Sequence, residues 1–356
     1  MKAMISGAGV SMDMQSLSRN IADAIKEWTG ACAVTVTDFR KLSGGAIQSN
    51  YNISLEMTSG THPGSHRFVV RSDAPSQIDA SLSRAQEFAV LRCAREAGVT
   101  VPEPLWLCTD KTVIGYAFYV MSWAPGTANG RQLVKALTQT QATALTYRLG
   151  QELGRLHRIG PGNGKLDFLP IPSTSAAQTR ITEYRQALDR IAQPHPVLEW
   201  ALNWLQDHAP PTSRLVLCHC DFRTGNYMVA QGELTAVLDW EFAAWSDPYE
   251  DLGWLCAKSW RFGNVAKEVG GVGDKPELFS GYASVTGERV DASKVGYWEV
   301  MAMVRWSVIA LQQAQRHVSG KEVSLELALT GRMVPEMEFD ILSQCLTMGN
   351  ADAKST

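Results

Sequence analysis

One histidine, two aspartates and an asparagine carry the chemistry that this chain can be expected to do. After the apolar run 215–218 comes His219-Cys220-Asp221-Phe222-Arg223-Thr224-Gly225-Asn226, which spells H-x-D-x-x-x-x-N. A short strand expected over 227–230, a turn at Gln231-Gly232 and a second strand over 233–238 then deliver another carboxylate, Asp239. The spacing suits phosphoryl transfer, which needs little covalent chemistry from a protein. What it needs is a metal-bound nucleoside triphosphate held in line with an acceptor hydroxyl. Mg2+ prefers oxygen ligands and keeps several waters, so one carboxylate and one amide oxygen suffice. Asp239 and Asn226 are the expected metal pair. Asp221 is expected to orient the acceptor hydroxyl and take its proton, with His219 as a support of the loop rather than the base. A lone H-x-D means little, because a surface Asp after a buried His is common. The combination of strand, loop, hairpin and strand-terminal acid is much harder to meet by accident.

The run LCHCDFRTGNYMVAQGELTAVLDWEFAAWSDPYEDLGWL resembles the aminoglycoside phosphotransferase superfamily, the small-molecule relatives of protein kinases that include choline kinases. Within it, the run is similar to the phosphotransferase domain of the acyl-CoA dehydrogenase 10/11 type proteins. The resemblance covers about residues 39–317 and implies an α+β, two-lobed, protein-kinase-like fold with ATP and Mg2+ as cofactors. A small β-rich N-lobe is expected over 16–122 and a larger, mainly helical C-lobe over 123–349, with flexible stretches at 1–15 and 350–356. The resemblance also implies that Asp251 accepts N–H groups of the catalytic loop. The glycine that usually follows the histidine is Cys220 here, a departure that leaves the acid and amide positions intact.

The elements that must position these groups are legible in the patterning. A helix is expected over 16–28, and strands over 34–39 and 51–57 flank Ser43, Gly44, Gly45, Ser49 and Asn50. That stretch lies where a kinase fold has its phosphate-covering turn, and small residues let backbone N–H groups approach an anion. A third strand, 66–71, ends on Arg71, and the helix expected over 83–96 carries Glu87. In the kinase arrangement a strand Lys contacts the phosphates and is held by a helix Glu. Arg71 and Glu87 occupy those places, and a guanidinium can bridge phosphate and carboxylate bidentately. Strands at 105–108 and 117–121 lead through Met121 into Ser122-Trp123-Ala124-Pro125-Gly126, the expected inter-lobe hinge, where Met121 and Trp123 would meet the adenine. Helices are expected over 140–157, 176–191, 197–208, 276–284, 293–317 and 324–345, with His157 as a buried support beneath the catalytic loop.

Only a few residues separate Asp239 from Asp247-Pro248, so there is no room for a long activation segment, and a protein substrate is not expected. Trp260, Arg261 and Arg305 are the acceptor candidates, the arginines for an anionic part and the tryptophan for an apolar one. A polycationic aminoglycoside would need a dense acidic wall, which 254–332 lacks, whereas choline would use an aromatic cage plus acids, and the aromatics alone permit it. An apolar or anionic alcohol, such as the hydroxyacyl-CoA that the resemblance suggests, suits this segment better. A choline- or aminoglycoside-type kinase and a nucleotide-binding pseudokinase are the alternatives.

Composition fits two lobes of a water-soluble enzyme: 356 residues, 45% hydrophobic, with a formal charge of -3. That charge offers no footprint for nucleic acid, and no stretch has the apolar length of a membrane span. Seven cysteines, an odd number in apolar settings, point to reduced thiols and a cytoplasmic protein. Cys218-His219-Cys220 is not a zinc motif, because side chains alternate along a strand and no second ligand pair follows. The expected partner is a small-molecule hydroxyl acceptor, and the sequence leaves the oligomeric state open.

Overall fold

Asp13 accepts hydrogen bonds from the N–H groups of Gln15 and Ser16 and so starts helix α1 (Met14–Thr29). The flexible stretch expected over 1–15 therefore gives up residues 14 and 15 to the helix. Leu17, Ile21 and Ile25 recur at helical spacing and are buried, and Gly30, at φ 65°, ends the helix in the left-handed conformation. The computed structural model describes residues 12–42, 48–73, 81–162, 164–191 and 193–352.

The protein is α+β, with two compact units. The first takes the residues up to Glu96, then Val101–Pro125 and Trp240–Phe242. Its strands β1 (Ala33–Lys41), β2 (Gln48–Thr58), β3 (Gly64–Asp73), β4 (Pro104–Cys108) and β5 (Phe118–Ser122) form one antiparallel sheet. The strand order is β1-β2-β3-β5-β4, and helix α2 (Arg84–Glu96) follows β3. Alternation in β2 and β3 sends Ile53, Leu55, Phe68 and Val70 into a core shared with α1, Phe118 and Val120. Each such side chain contributes about 1.5–3 kcal/mol by burial.

β2 begins at Gln48, three residues before the expected start. Ser49 and Asn50, expected in a phosphate loop, are strand residues paired with Ser72 and Arg71. The polar triplet Gln-Ser-Asn carries no apolar alternation. It is held by pairing with β3 and by a 2.5 Å hydrogen bond from Gln48 Nε2 to Glu241 Oε2. Ser43, Gly44 and Gly45 lie outside the described residues.

The second unit takes Ala97–Thr100, Gly126–Asp239 and the residues from Ala243. Helices α3 (Gly130–Ala136), α4 (Gln139–Leu156), α5 (Ala176–Asp189) and α6 (Pro196–Asp207) lead to strand β6 (Val216–Cys218). The hairpin β7 (Tyr227–Ala230) and β8 (Glu233–Val237) follows, then β9 (Ala244–Ser246), antiparallel to β6. Five more helices complete the unit: α7 (Pro248–Cys256), α8 (Lys275–Thr286), α9 (Ala292–Val318), α10 (Leu325–Gly331) and α11 (Val334–Asp352).

α4 and α8 cross at glycines. A Cβ on Gly150 would lie 2.1 Å from the Leu278 carbonyl, and one on Gly281 would lie 2.0 Å from that of Tyr147. Ile181, Leu198, Leu202, Trp298, Val304 and Ile341 bring α5, α6, α9 and α11 into one core. The single helix expected over 324–345 is two, because Pro335 has no N–H to offer the preceding turn and suits only the start of a helix. α11 then runs to Asp352, into the stretch expected to be a flexible tail. The short elements α3 and β9 carry too few residues for a periodic signal. Among the described residues, no helix is long and apolar enough to cross a membrane.

Candidate active site

The loop after β6 is organised by hydrogen bonds that its own sequence supplies. His219 Nδ1 accepts the Asp221 N–H at 3.2 Å, and Nε2 donates to the Leu238 carbonyl at 2.8 Å. The imidazole is thus the Nε2–H tautomer with its one lone pair in use, which suits it to support rather than to proton abstraction. Leu238 N–H in turn donates to the Asn226 carbonyl at 2.7 Å. Both peptide groups of Leu238 are therefore tied to the loop, and the next residue is Asp239, held at φ 67°.

Asn226 Nδ2 donates to the Asp221 carbonyl at 2.9 Å and to Asp221 Oδ2 at 2.5 Å. Both partners are acceptors, so the amide nitrogen must face Asp221 and Oδ1 is the atom left to act as a ligand. One amide oxygen and one carboxylate, anchored to the same hairpin, fit a hard, oxygen-seeking cation such as Mg2+. Asp221 is buried, and its Oδ1 accepts from Trp254 Nε1 at 2.9 Å and from Arg223 Nε at 3.1 Å.

Beneath the loop, Asp251 accepts the His219 N–H at 2.7 Å on Oδ2 and the Cys220 N–H at 2.8 Å on Oδ1, and His157 Nε2 approaches Oδ2 at 3.2 Å. Burial works to raise the Asp251 pKa. The hydrogen bond and charge of His157, with those of His219, outweigh it and hold the carboxyl below its ordinary value. Among the described residues, His157, Cys218 and Asp251 are the one set of three His, Cys, Asp or Glu side chains close enough together to hold a metal ion. Both Asp251 oxygens already accept protein N–H groups, so this grouping is a structural support.

In the first unit, Arg71 Nε lies 2.9 Å from Glu87 Oε1 and 3.1 Å from Oε2, with both side chains buried. Sequence reasoning missed Arg84, which is fully buried and binds Glu87 through Nη1 and Asp73 Oδ1 through Nε at 2.9 Å. Its only signal was a charge three residues before Glu87. Met121 is a buried β5 residue opposite Val69. Trp123 has the Arg67 guanidinium 3.4 Å above its ring.

A model of the APH family, described as "Phosphotransferase enzyme family", matches residues 38–287. The chain belongs to the APH phosphotransferase enzyme family. It is 31% identical over 180 residues to acyl-CoA dehydrogenase family member 10 of Mus musculus, a match covering 48% of this chain and 16% of that protein. With family member 11 of the same species it shares 25% over 339 residues, 90% of this chain and 42% of the relative. The chain thus spans less than half the length of these relatives. A solved structure from Ralstonia eutropha, assigned as an aminoglycoside phosphotransferase, superposes with a TM-score of 0.73 at 20% identity, over 93% of this chain and 98% of the other. That likeness establishes the shared fold.

Against the pattern expected of an APH phosphotransferase, the cysteine after the loop histidine has a physical explanation. Cys220 sits at φ 59°, where glycine is unstrained and an L side chain costs roughly 1–2 kcal/mol. The thiol is buried and accepts from Arg180 Nη2 at 3.4 Å. Burial, and then the Glu250 charge, push its pKa well above the ordinary range, so it is a neutral thiol. Cys220→Gly should change stability by less than about 1 kcal/mol, lost packing offsetting relieved strain, and should keep turnover. Cys220→Val, β-branched in a left-handed position, should lose at least about 2 kcal/mol in urea unfolding. Equal stability of the two variants would contradict this account.

The acceptor candidates divide. Arg305 Nη1 donates to the Cys220 carbonyl at 2.5 Å and its guanidinium lies 4.4 Å from the Trp254 ring centroid, so it braces the loop of this APH enzyme. Arg261 donates to the carbonyls of Val265 at 3.0 Å and Cys256 at 2.9 Å, which ties down its own turn. Trp260 is buried in a cluster with Trp254 and Trp306 and has Arg223 4.5 Å over its ring.

Proposed function

We propose that this chain is a small-molecule kinase that transfers the γ-phosphoryl group of ATP to the hydroxyl of an alcohol carried on coenzyme A, of the hydroxyacyl-CoA class. The observation that carries the reading is the bond from Asn226 Nδ2 to Asp221 Oδ2, which joins the proposed base to the proposed metal ligand through a single amide. Asp221 receives the acceptor hydroxyl and takes its proton as the new P–O bond forms and the bond from the γ-phosphorus to the β,γ-bridging oxygen breaks, with ADP as the leaving group. Asn226 Oδ1 and Asp239 would hold Mg2+, which when bound neutralises charge on the phosphates. Arg71, kept in place by Glu87, is assigned to the phosphates, together with the backbone of Ser43, Gly44 and Gly45. Met121 and Trp123 are assigned to the adenine, and Trp260 to the apolar body of the acceptor.

Two observations favour an acyl-CoA acceptor over an aminoglycoside. The curated relatives named above are acyl-CoA dehydrogenase family members, and Glu250 and Glu299 are each spent on protein cations. All seven cysteines are free thiols, which fits a cytoplasmic setting. The test is purified protein with ATP, Mg2+ and, in separate reactions, 4-hydroxyacyl-CoA, choline and kanamycin. Phosphorylation of the acyl-CoA at a kcat/KM at least tenfold above the others is expected. Aminoglycoside resistance in a sensitive bacterium, with no turnover of the acyl-CoA, would overturn the reading.

A further inference from the structure

We propose that Trp254 is a positioning residue that selects which oxygen of Asp221 receives the acceptor hydroxyl. The inference rests on the assignment of Asp221 as the base. An ionised carboxylate offers about four lone-pair sites, two on each oxygen. Oδ1 accepts from Trp254 Nε1 at 2.9 Å and from Arg223 Nε at 3.1 Å, and is filled. Oδ2 accepts from Asn226 Nδ2 at 2.5 Å, which leaves one site there for the incoming hydroxyl. The proton therefore goes to Oδ2, the oxygen that shares its amide with the proposed metal ligand.

The indole can do this because it is fixed on every side. Trp254 is 2% exposed, lies 5.2 Å centroid to centroid from Trp260, and carries the Arg305 guanidinium on its ring. It stands three residues after Asp251, on the same face of α7. One helix thus holds the loop backbone through a carboxylate and the base side chain through an indole N–H. Arg305 fastens both, since it also binds the carbonyl of Cys220.

Trp254→Phe keeps a ring for Arg305 and removes only the donor. With water as acceptor, in Mg2+-dependent ATP hydrolysis, kcat should fall roughly tenfold while KM for ATP stays within about twofold, because the nucleotide is not touched. A second readout needs no substrate. In protein labelled with 15N at the indole nitrogens, Asp221→Ala should move upfield the single resonance that Trp254→Phe removes. An Asp221→Ala spectrum in which that resonance stays in place, or a folded Trp254→Phe enzyme with wild-type kcat, would overturn the proposal. Should Trp254→Phe not fold, Arg305→Lys decides. It keeps the charge but not the stacked plane, and must lower kcat at least threefold with KM unchanged, wild-type kinetics again refuting the idea. Failure of the base assignment has a different signature, namely an Asp221→Asn enzyme that still turns over at the wild-type rate.

Discussion

Asp239→Asn should remove Mg2+-dependent ATP turnover while the protein stays folded. The substitution keeps the shape of the side chain and its tolerance of the left-handed backbone at φ 67°, so the hairpin should hold its place. It deletes the one charge that the proposed metal site contributes. Loss of a single preorganised charge-stabilising group costs roughly 10²–10³-fold in kcat, and a metal ligand should reach at least that. Steady-state turnover across a Mg2+ titration, with thermal melting of the same samples, checks both halves. Turnover near wild type in a folded variant would remove Asp239 from the site.

The largest loss of stability is expected at Asp251, and it should depend on pH. Asp251→Ala strands the buried N–H groups of His219 and Cys220. At about 1–3 kcal/mol for each orphaned donor, the variant should lose roughly 4 kcal/mol at neutral pH. Because the folded-state pKa of Asp251 lies below its ordinary value of 3.8, its stabilisation is fully present above that value and is lost as pH falls through the lower, folded-state one. The gap in unfolding free energy between the wild type and Asp251→Asn should therefore narrow as pH falls below about 4. Urea unfolding at several pH values measures it, and a gap of constant size down to pH 2.5 would contradict the assignment.

The parts of the site that could be read in the sequence are those in which spacing and chemistry coincide. H-x-D-x-x-x-x-N fixes how far Asp221 can lie from Asn226, and the hairpin turn at Gln231-Gly232 brings Asp239 back to them. Long helices such as α4 and α9 announce themselves by periodicity. What could not be read is what each charge touches. Arg305 and Arg261 looked like anion-binding groups, yet each is engaged by backbone carbonyls that only the fold brings near. Arg84, a charge at a helix start with no pattern to mark it, is fully buried between two acids. Nothing in the sequence says that the polar edge of Trp254 meets Asp221 across 33 residues of chain. Where β2 begins was hidden because its first three residues are polar and their register comes from the partner strand.

The sharing of Glu87 between Arg71 and Arg84 bears on how this site can drift in evolution. Loss of Arg71 would leave Glu87 neutralised by Arg84, so the first unit could go on folding while position 71 sampled lysine or lost its cation. Loss of Glu87 would remove the acid that two buried guanidinium groups share, a heavier penalty. Position 71, the proposed phosphate contact, can therefore change at less cost to the fold than position 87, on which two cations depend.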